Sequence, residues 1–176
     1  LQDELNALLK GAKYVARSEY AEITPAYKEL VEFFRVLQNS KMLKSYCAQN
    51  GITEGEVLKI IDLYDHLGAR VDAANDEYIK NQMLSEKEYL DNILKDVDPV
   101  IVLDEDQRKV ILTDEDYCLV IAGAGAGKTT TVAAKVKYLV EKKGIEPRDI
   151  LVISFTNKAV GELREKINKD LRIDCP

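Results

Sequence analysis

Apolar positions in the first hundred residues recur at three- and four-residue steps, whereas after Pro99 they gather into short continuous runs. The first spacing predicts helices and the second predicts buried strands. Tyr27, Leu30, Phe34 and Leu37 make one apolar stripe. Thr24-Pro25 ahead of it reads as a helix start, with Thr24 as N-cap and Pro25 in the first turn, where its missing N–H costs nothing. Gly51 suits a helix C-terminus, and Thr53 with Glu56 makes a capping box for the next helix. Val57, Ile60, Tyr64, Leu67, Val71, Ala74 and Tyr78 keep the step over roughly three heptads, a seam suited to coiled-coil packing. Ser85 and Glu88 form a second capping box before "YLDNILKDV", with Leu84 and Tyr89 placed as a hydrophobic staple. Asp98-Pro99 closes the helical region. The seam fits a hairpin packed on itself or on the next domain, and it fits an arm that docks to a protein partner.

Beyond Pro99, "YCLVIA" (117–122) is a run of β-formers followed by a Gly-rich loop. A helix then carries Val132, Val136, Leu139 and Val140 on one face. "KKGIEPRD" is turn-rich, "ILVISF" (150–155) reads as a second buried strand, and "TNKAVGELREKINKDL" reads as an amphipathic helix. Strand, helix, strand, helix at this spacing predicts parallel strands joined by right-handed crossovers. The expected fold class is α/β, with a helical region over 1–98 and a nucleotide-binding type of domain over 99–176.

Composition narrows the picture only slightly. A chain of 176 residues holds one good core or two small domains. It opens on Leu1 rather than Met, which reads as a piece of a longer protein. Hydrophobic residues make up 46% and charged residues 32%, an ordinary globular balance. No apolar run approaches the ~18 residues needed to span a membrane, and no basic-then-apolar leader opens the chain. Cys47, Cys118 and Cys175 are odd in number, far apart and without a CxxC pair, which argues against a disulfide framework or zinc site and fits a cytoplasmic location. His66 stands alone, which excludes chemistry that needs a histidine pair. Residues 1–99 carry 12 Lys+Arg against 18 Asp+Glu, whereas 117–172 carry 11 against 6. The net positive stretch is therefore the one with the Gly-rich loop, which is compatible with nucleic acid as a partner.

That loop, "AGAGAGKTT" (122–130), holds the strongest chemistry. Wrapping phosphates requires inward-pointing backbone N–H groups, and glycines allow the close approach. The candidate nucleotide-binding residues are Ala122, Gly123, Ala124, Gly125, Ala126, Gly127, Lys128, Thr129 and Thr130. Lys128 reaches the β- and γ-phosphates of ATP in this reading, and the Thr129 hydroxyl coordinates Mg²⁺. The strict GxxxxGK[ST] pattern would have Gly where Ala122 stands. Gln107, in "LDEDQRKVI", reads first as half of a capping box with Asp104. Its amide could equally pair with an adenine edge. "VIVLDE" (100–105) imitates a metal-binding carboxylate strand, but its acids look like a helix start. In "SFTNKAVGELREKI", Phe155 could stack on a nucleobase, while Thr156, Asn157 and Lys158 sit at a helix N-terminus that attracts phosphate. The plain alternative there is an N-cap beside a core phenylalanine.

Taken together these residues resemble the start of a superfamily 1 DNA helicase of the UvrD/Rep type. "LDEDQ" resembles the Q motif, "AGAGAGKTT" the Walker A loop and "ISFTNKAVGELREKI" motif Ia, in that order across 103–172. The family's loop commonly has Ala at its first position, which accounts for Ala122. The helical region resembles the N-terminal extension of helicase IV-like members. The resemblance implies a RecA-like motor domain, Gln107 as adenine reader, and Lys128 as the catalytic lysine. It also implies Thr129 as the Mg²⁺ ligand and Phe155, Thr156, Asn157 and Lys158 as contacts to single-stranded DNA. It implies a parent that couples ATP hydrolysis to translocation and unwinding, 3′ to 5′. Many relatives have Arg directly after the GKT; here it is Thr130. Gly161 inside the motif Ia helix has no account at this level. Hydrolysis also needs an acid for Mg²⁺, a group that orients water, and cationic groups on the transition state. After Lys128 the run "ILVISF" ends without an acid, so this chain alone is expected to bind nucleotide weakly and not to hydrolyse it. A P-loop switch without motor activity and a helical partner-docking module are the alternatives.

Overall fold

The computed structural model describes residues 1–10, 13–95, 99–170 and 173. Asp98 and Cys175 therefore lie outside the described residues. The elements are helices α1 (Gln2–Leu9), α2 (Arg17–Tyr20), α3 (Ile23–Asn39), α4 (Leu43–Asn50), α5 (Glu54–Asp65), α6 (Leu67–Ser85), α7 (Lys87–Asn92), α8 (Glu105–Leu112), α9 (Lys128–Glu141) and α10 (Asn157–Glu165). A 3₁₀ turn at Pro147–Asp149 and a π-helical turn at Lys166–Asp170 complete them.

The expected α/β class with parallel strands is overturned: the described residues contain helices and no β-ladder. Neither run read as a buried strand is buried: 117–121 are exposed throughout, and 150–155 alternate between half-buried and exposed. Leu119 and Ile121 are 87% and 91% exposed, and Leu151 and Ile153 are 83% and 81% exposed. Ile150 and Val152, which alternate with them, pack on a helical core. The exposure thus alternates along the second run only. An apolar, β-branched run favours extended backbone, but a strand also needs a neighbour to take its N–H and C=O groups, and no such ladder forms here.

Two compact units divide the chain, one made of Leu1–Tyr78 with Asp114–Tyr117, the other of Ile79–Thr113 with Cys118–Pro176. In the first, Leu5, Val15, Leu63, Leu67 and Val71 form one core cluster, and Phe34, Leu37, Leu43, Cys47 and Val57 form another. The heptad seam is thereby split. α5 ends at Asp65 with His66 as C-cap, so Val57 serves one cluster while Leu67 and Val71 serve the other. Thr53 and Glu56 form the expected capping box, with Thr53 N–H donating to Glu56 at 2.8 Å and Glu56 N–H to Thr53 Oγ1 at 3.2 Å. Gly51 closes α4 in the left-handed conformation at φ 67°.

Two expected caps are corrected. α3 begins at Ile23 with Glu22 as N-cap, so Thr24 and Pro25 fall inside its first turn. Ile23 packs on the Leu5 cluster, and that packing draws the helix start two residues earlier. Ser85 is the last residue of α6, and its hydroxyl donates to Gln82 O at 3.3 Å. A helical Ser85 cannot take the extended conformation of an N-cap, and Glu86 caps α7 without a side-chain bond.

The second unit has its core in Leu90, Ile93, Leu94, Leu103, Ile111, Leu112, Ala133, Ala134, Val136, Tyr138, Ile167 and Ile173. α8 packs on α9. The buried face of α9 is Thr131, Ala133, Ala134, Val136, Lys137 and Tyr138, rotated from the expected one, and Val132 is exposed. Ala133 and Ala134 are fully buried in this core beside Val136 and Tyr138, and Val140 packs against it, so only part of the expected face turns inward.

Candidate functional site

α8 starts where the sequence demands. Asp104 accepts from Gln107 N–H at 2.8 Å, and Asp104 N–H donates to Gln107 Oε1 at 3.0 Å, a complete capping box. The other end of the same carboxamide is free to act: Gln107 Nε2 donates to Ala126 O at 3.3 Å. One side chain therefore caps α8 and touches the Gly-rich loop. Arg108 locks the turn from behind, donating to Leu103 O at 2.9 Å and pairing with Asp91 at 2.6 Å. Lys87 and Arg108 together hold the Asp91 carboxyl below the usual carboxylate range.

The loop over 122–127 needs its glycines at two places. Gly125 and Gly127 have φ 79° and 72°, where a side chain is strained. A Cβ on Gly127 would also lie 2.6 Å from Gln107 Nε2. Gly127 is the N-cap of α9, and α9 begins at Lys128. The Lys128 ammonium folds back to donate to Gly123 O at 2.6 Å and Ala122 O at 3.1 Å. Thr129 and Thr130 are half-buried in the first turn. Thr130 Oγ1 accepts from Lys166 Nζ at 3.1 Å. Thr129 lines a cleft of about 370 Å³ with Glu162, Glu165 and Lys166. Ala122 is half-buried, and Gly123, Ala124, Gly125 and Ala126 are exposed. The nucleotide candidates thus converge on one place, where α9's first N–H groups, one ammonium and one carboxamide meet a backbone loop able to approach phosphates.

The DNA candidates gather on a single turn at the start of α10. Thr156 is its N-cap and accepts from Ala159 N–H at 3.2 Å. Asn157 is the first helical residue, and Lys158 is exposed and lies 4.0 Å from Glu162. Phe155 is fully exposed rather than a core residue.

Sequence reasoning passed over three lysines. Lys135 Nζ donates to Ile111 O at 2.7 Å and Thr113 O at 2.6 Å, closing the C-terminus of α8 from α9. With Gln107 at the other end, α8 is fastened to the loop–α9 segment at both termini. Lys137, buried, donates to Ile93 O at 3.0 Å. Lys166 reaches the position that follows the GKT. The signal for Lys135 was its place directly after the buried Ala133 and Ala134, a weak cue without knowing the partner helix.

The sequence over 103–175 matches the UvrD/REP helicase N-terminal domain. A protein of Mycoplasma pneumoniae called "Probable DNA helicase" is 42% identical over 67 residues, 38% of this chain and 13% of its own length. The "Probable DNA helicase II homolog" of Mycoplasma capricolum is 41% identical over 66 residues, 38% of this chain and 9% of its own length. The ATP-dependent DNA helicase PcrA of Staphylococcus aureus is 37% identical over 67 residues, again 38% and 9%. This chain therefore spans only a small fraction of those relatives. No solved structure matches. Among the described residues no helix is long and apolar enough to cross a membrane.

Proposed function

We propose that the chain is the N-terminal part of an ATP-dependent DNA helicase that translocates on single-stranded DNA, 3′ to 5′, and unwinds duplex. The UvrD/REP match supports the class. The observation that carries the site reading is the seat of Gln107 on the Gly-rich loop, beside the ammonium of Lys128 and the first turn of α9. Residues of that kind suit a nucleoside triphosphate. The carboxamide has a donor and an acceptor for an adenine edge. The left-handed glycines leave room that a Cβ would fill. The ammonium already lies against the loop backbone, where phosphate oxygens could replace its carbonyl partners.

In this reading Lys128 leaves Ala122 O and Gly123 O to neutralise the β- and γ-phosphates. The N–H groups at the start of α9 bind phosphate oxygens, and the Thr129 hydroxyl holds Mg²⁺, which supplies charge neutralisation when bound. Gln107 selects adenine without releasing its cap on α8. Phe155 stacks on a base, while Thr156, Asn157 and Lys158 take the DNA backbone. Within this chain the chemistry stops at binding.

The test is ATP hydrolysis by the full-length parent, with and without single-stranded DNA, beside a Lys128→Ala variant. Strong stimulation by DNA that the variant abolishes is the expected result. Hydrolysis indifferent to DNA would replace the motor with a nucleotide switch.

A further inference from the structure

The acidic turn Asp114–Glu115–Asp116 joins α8 to the run that leads into the Gly-rich loop, and it is held by residues nearly a hundred positions away. α2 begins after Ala16, which has no side-chain acceptor for the first N–H groups of a helix. The distant turn supplies them. Arg17 N–H donates to Glu115 Oε1 at 2.9 Å, and Ser18 N–H donates to Asp116 Oδ2 at 2.8 Å. The Ser18 side chain and backbone together hold the Asp116 carboxyl below its ordinary range. Tyr14 O–H donates to Glu115 Oε2 at 3.5 Å, and Asp116 N–H closes the turn on Glu115 Oε1 at 2.9 Å. The segment ahead of α2 is itself pinned, because the buried Asn75 accepts from Val15 N–H at 2.8 Å and donates to Val15 O at 2.9 Å.

The chain's own course gives this cluster its consequence. Asp114–Tyr117 belongs to the same compact unit as Leu1–Tyr78, while Thr113 before it and Cys118 after it belong to the other. Thr113 O is fixed by Lys135 of α9. Five residues after Tyr117 the Gly-rich loop begins at Ala122. The turn is thus a short tether with one end on the helix that carries Gln107 and the other on the segment that carries the loop. Its middle is grasped by the N-terminal helices through charge-assisted hydrogen bonds, which are stronger than neutral ones.

We propose that Glu115 and Asp116 are positioning residues of the nucleotide site, a latch through which the N-terminal helical region sets the spacing between Gln107 and the Gly-rich loop. The proposal rests on the nucleotide-site reading above. With the latch closed, Gln107 and the loop are held in register. With it open, nucleotide binding loses that preorganisation and weakens. The N-terminal region thereby acts on affinity for ATP without touching it, and anything that displaces α2 would act the same way.

The experiment is a titration of a fluorescent ATP analogue with Mg²⁺ into this chain and its variants, with thermal melts alongside. Glu115→Gln with Asp116→Asn removes the charges and keeps the shape. Ser18→Asp opens the latch by repulsion from the opposite side, and Ser18→Asp combined with Asp116→Asn relieves that repulsion. The double variant and Ser18→Asp should each bind roughly 3- to 10-fold more weakly, the range of modest coupling between sites. The combination of Ser18→Asp with Asp116→Asn should recover part of the loss relative to Ser18→Asp alone. Lys128→Ala should abolish binding. Affinity within twofold of the unsubstituted chain in all latch variants, with Lys128→Ala still defective, would overturn the latch and leave the site intact. So would weakened binding without recovery in the combined variant, which would mark a merely structural loss. Binding that is absent from the unsubstituted chain or indifferent to Lys128→Ala would sink the site reading and the latch with it.

Discussion

At Gln107 the carboxamide oxygen and nitrogen face different tasks. The oxygen accepts from Asp104 N–H and so caps α8, while the nitrogen donates to Ala126 O on the Gly-rich loop. A single substitution can part the two. Gln107→Glu keeps an acceptor for the cap and places negative charge in the first helical turn, which the dipole tolerates, but it has no donor for the loop or for an adenine edge. Gln107→Ala loses both. Thermal melts should therefore show Gln107→Ala destabilised by about 0.5–2 kcal/mol and Gln107→Glu nearly unchanged. Nucleotide titration should show both weakened and both less able to prefer ATP over GTP. A Glu variant that still prefers ATP would reduce Gln107 to a cap. The capping reading and the adenine reading were both legible from "LDEDQ"; that one side chain serves the loop while capping was not, because nothing in the segment says that Ala126 lies beside it.

Elements were legible where local rules decide them. Periodicity placed α3, α5 and α9, and local chemistry placed the cap at Thr53 and the stop at Gly51. The sequence misled where a tertiary contact outvotes the local rule: Ile23 extended α3 backward, α6 swallowed Ser85, and the alanines of α9 turned inward. The helix pair α8–α9 is fastened by Lys135, whose ammonium satisfies two otherwise orphaned carbonyls at the α8 terminus. Lys135→Met keeps much of the stem's packing and removes those bonds, with an expected loss of about 1–3 kcal/mol and weaker nucleotide binding through displacement of α8. Unchanged melting would mean water replaces the ammonium at no cost. Gly161 makes a contrasting case within α10. A Cβ there meets nothing within 4 Å, and its φ is not positive. Gly161→Ala should then stabilise the chain by about 0.5–1 kcal/mol, and a destabilised variant would show that the added Cβ meets a neighbour within the folded chain.

For the whole molecule the decisive fact is that two apolar runs lie open, 117–121 along its whole length and 150–155 along one side. The sequence reading took both for buried strands, since continuous apolar residues usually signal burial on both faces. Composition could not reveal otherwise, because the pattern of a run says which residues avoid water and not whether a neighbour is present to cover them. Leu119, Ile121, Leu151 and Ile153 are each more than four-fifths exposed, while Ile150 and Val152 rest on the helical core. Folded chains seldom leave such rows bare, and exposed apolar surface of this kind binds hydrophobic dyes and promotes association. The chain in native buffer should enhance 8-anilinonaphthalene-1-sulfonate fluorescence strongly and sediment with concentration-dependent mass. Leu119→Ser with Ile121→Ser, and separately Leu151→Ser with Ile153→Ser, should each lower both signals. The far-ultraviolet circular dichroism should stay helical, because the outward side chains contribute nothing to the core. Should the dye signal remain while helicity falls, these residues would be core residues in solution and the open rows would be wrong. Dye emission no brighter than that of an ordinary globular protein would instead show the rows covered.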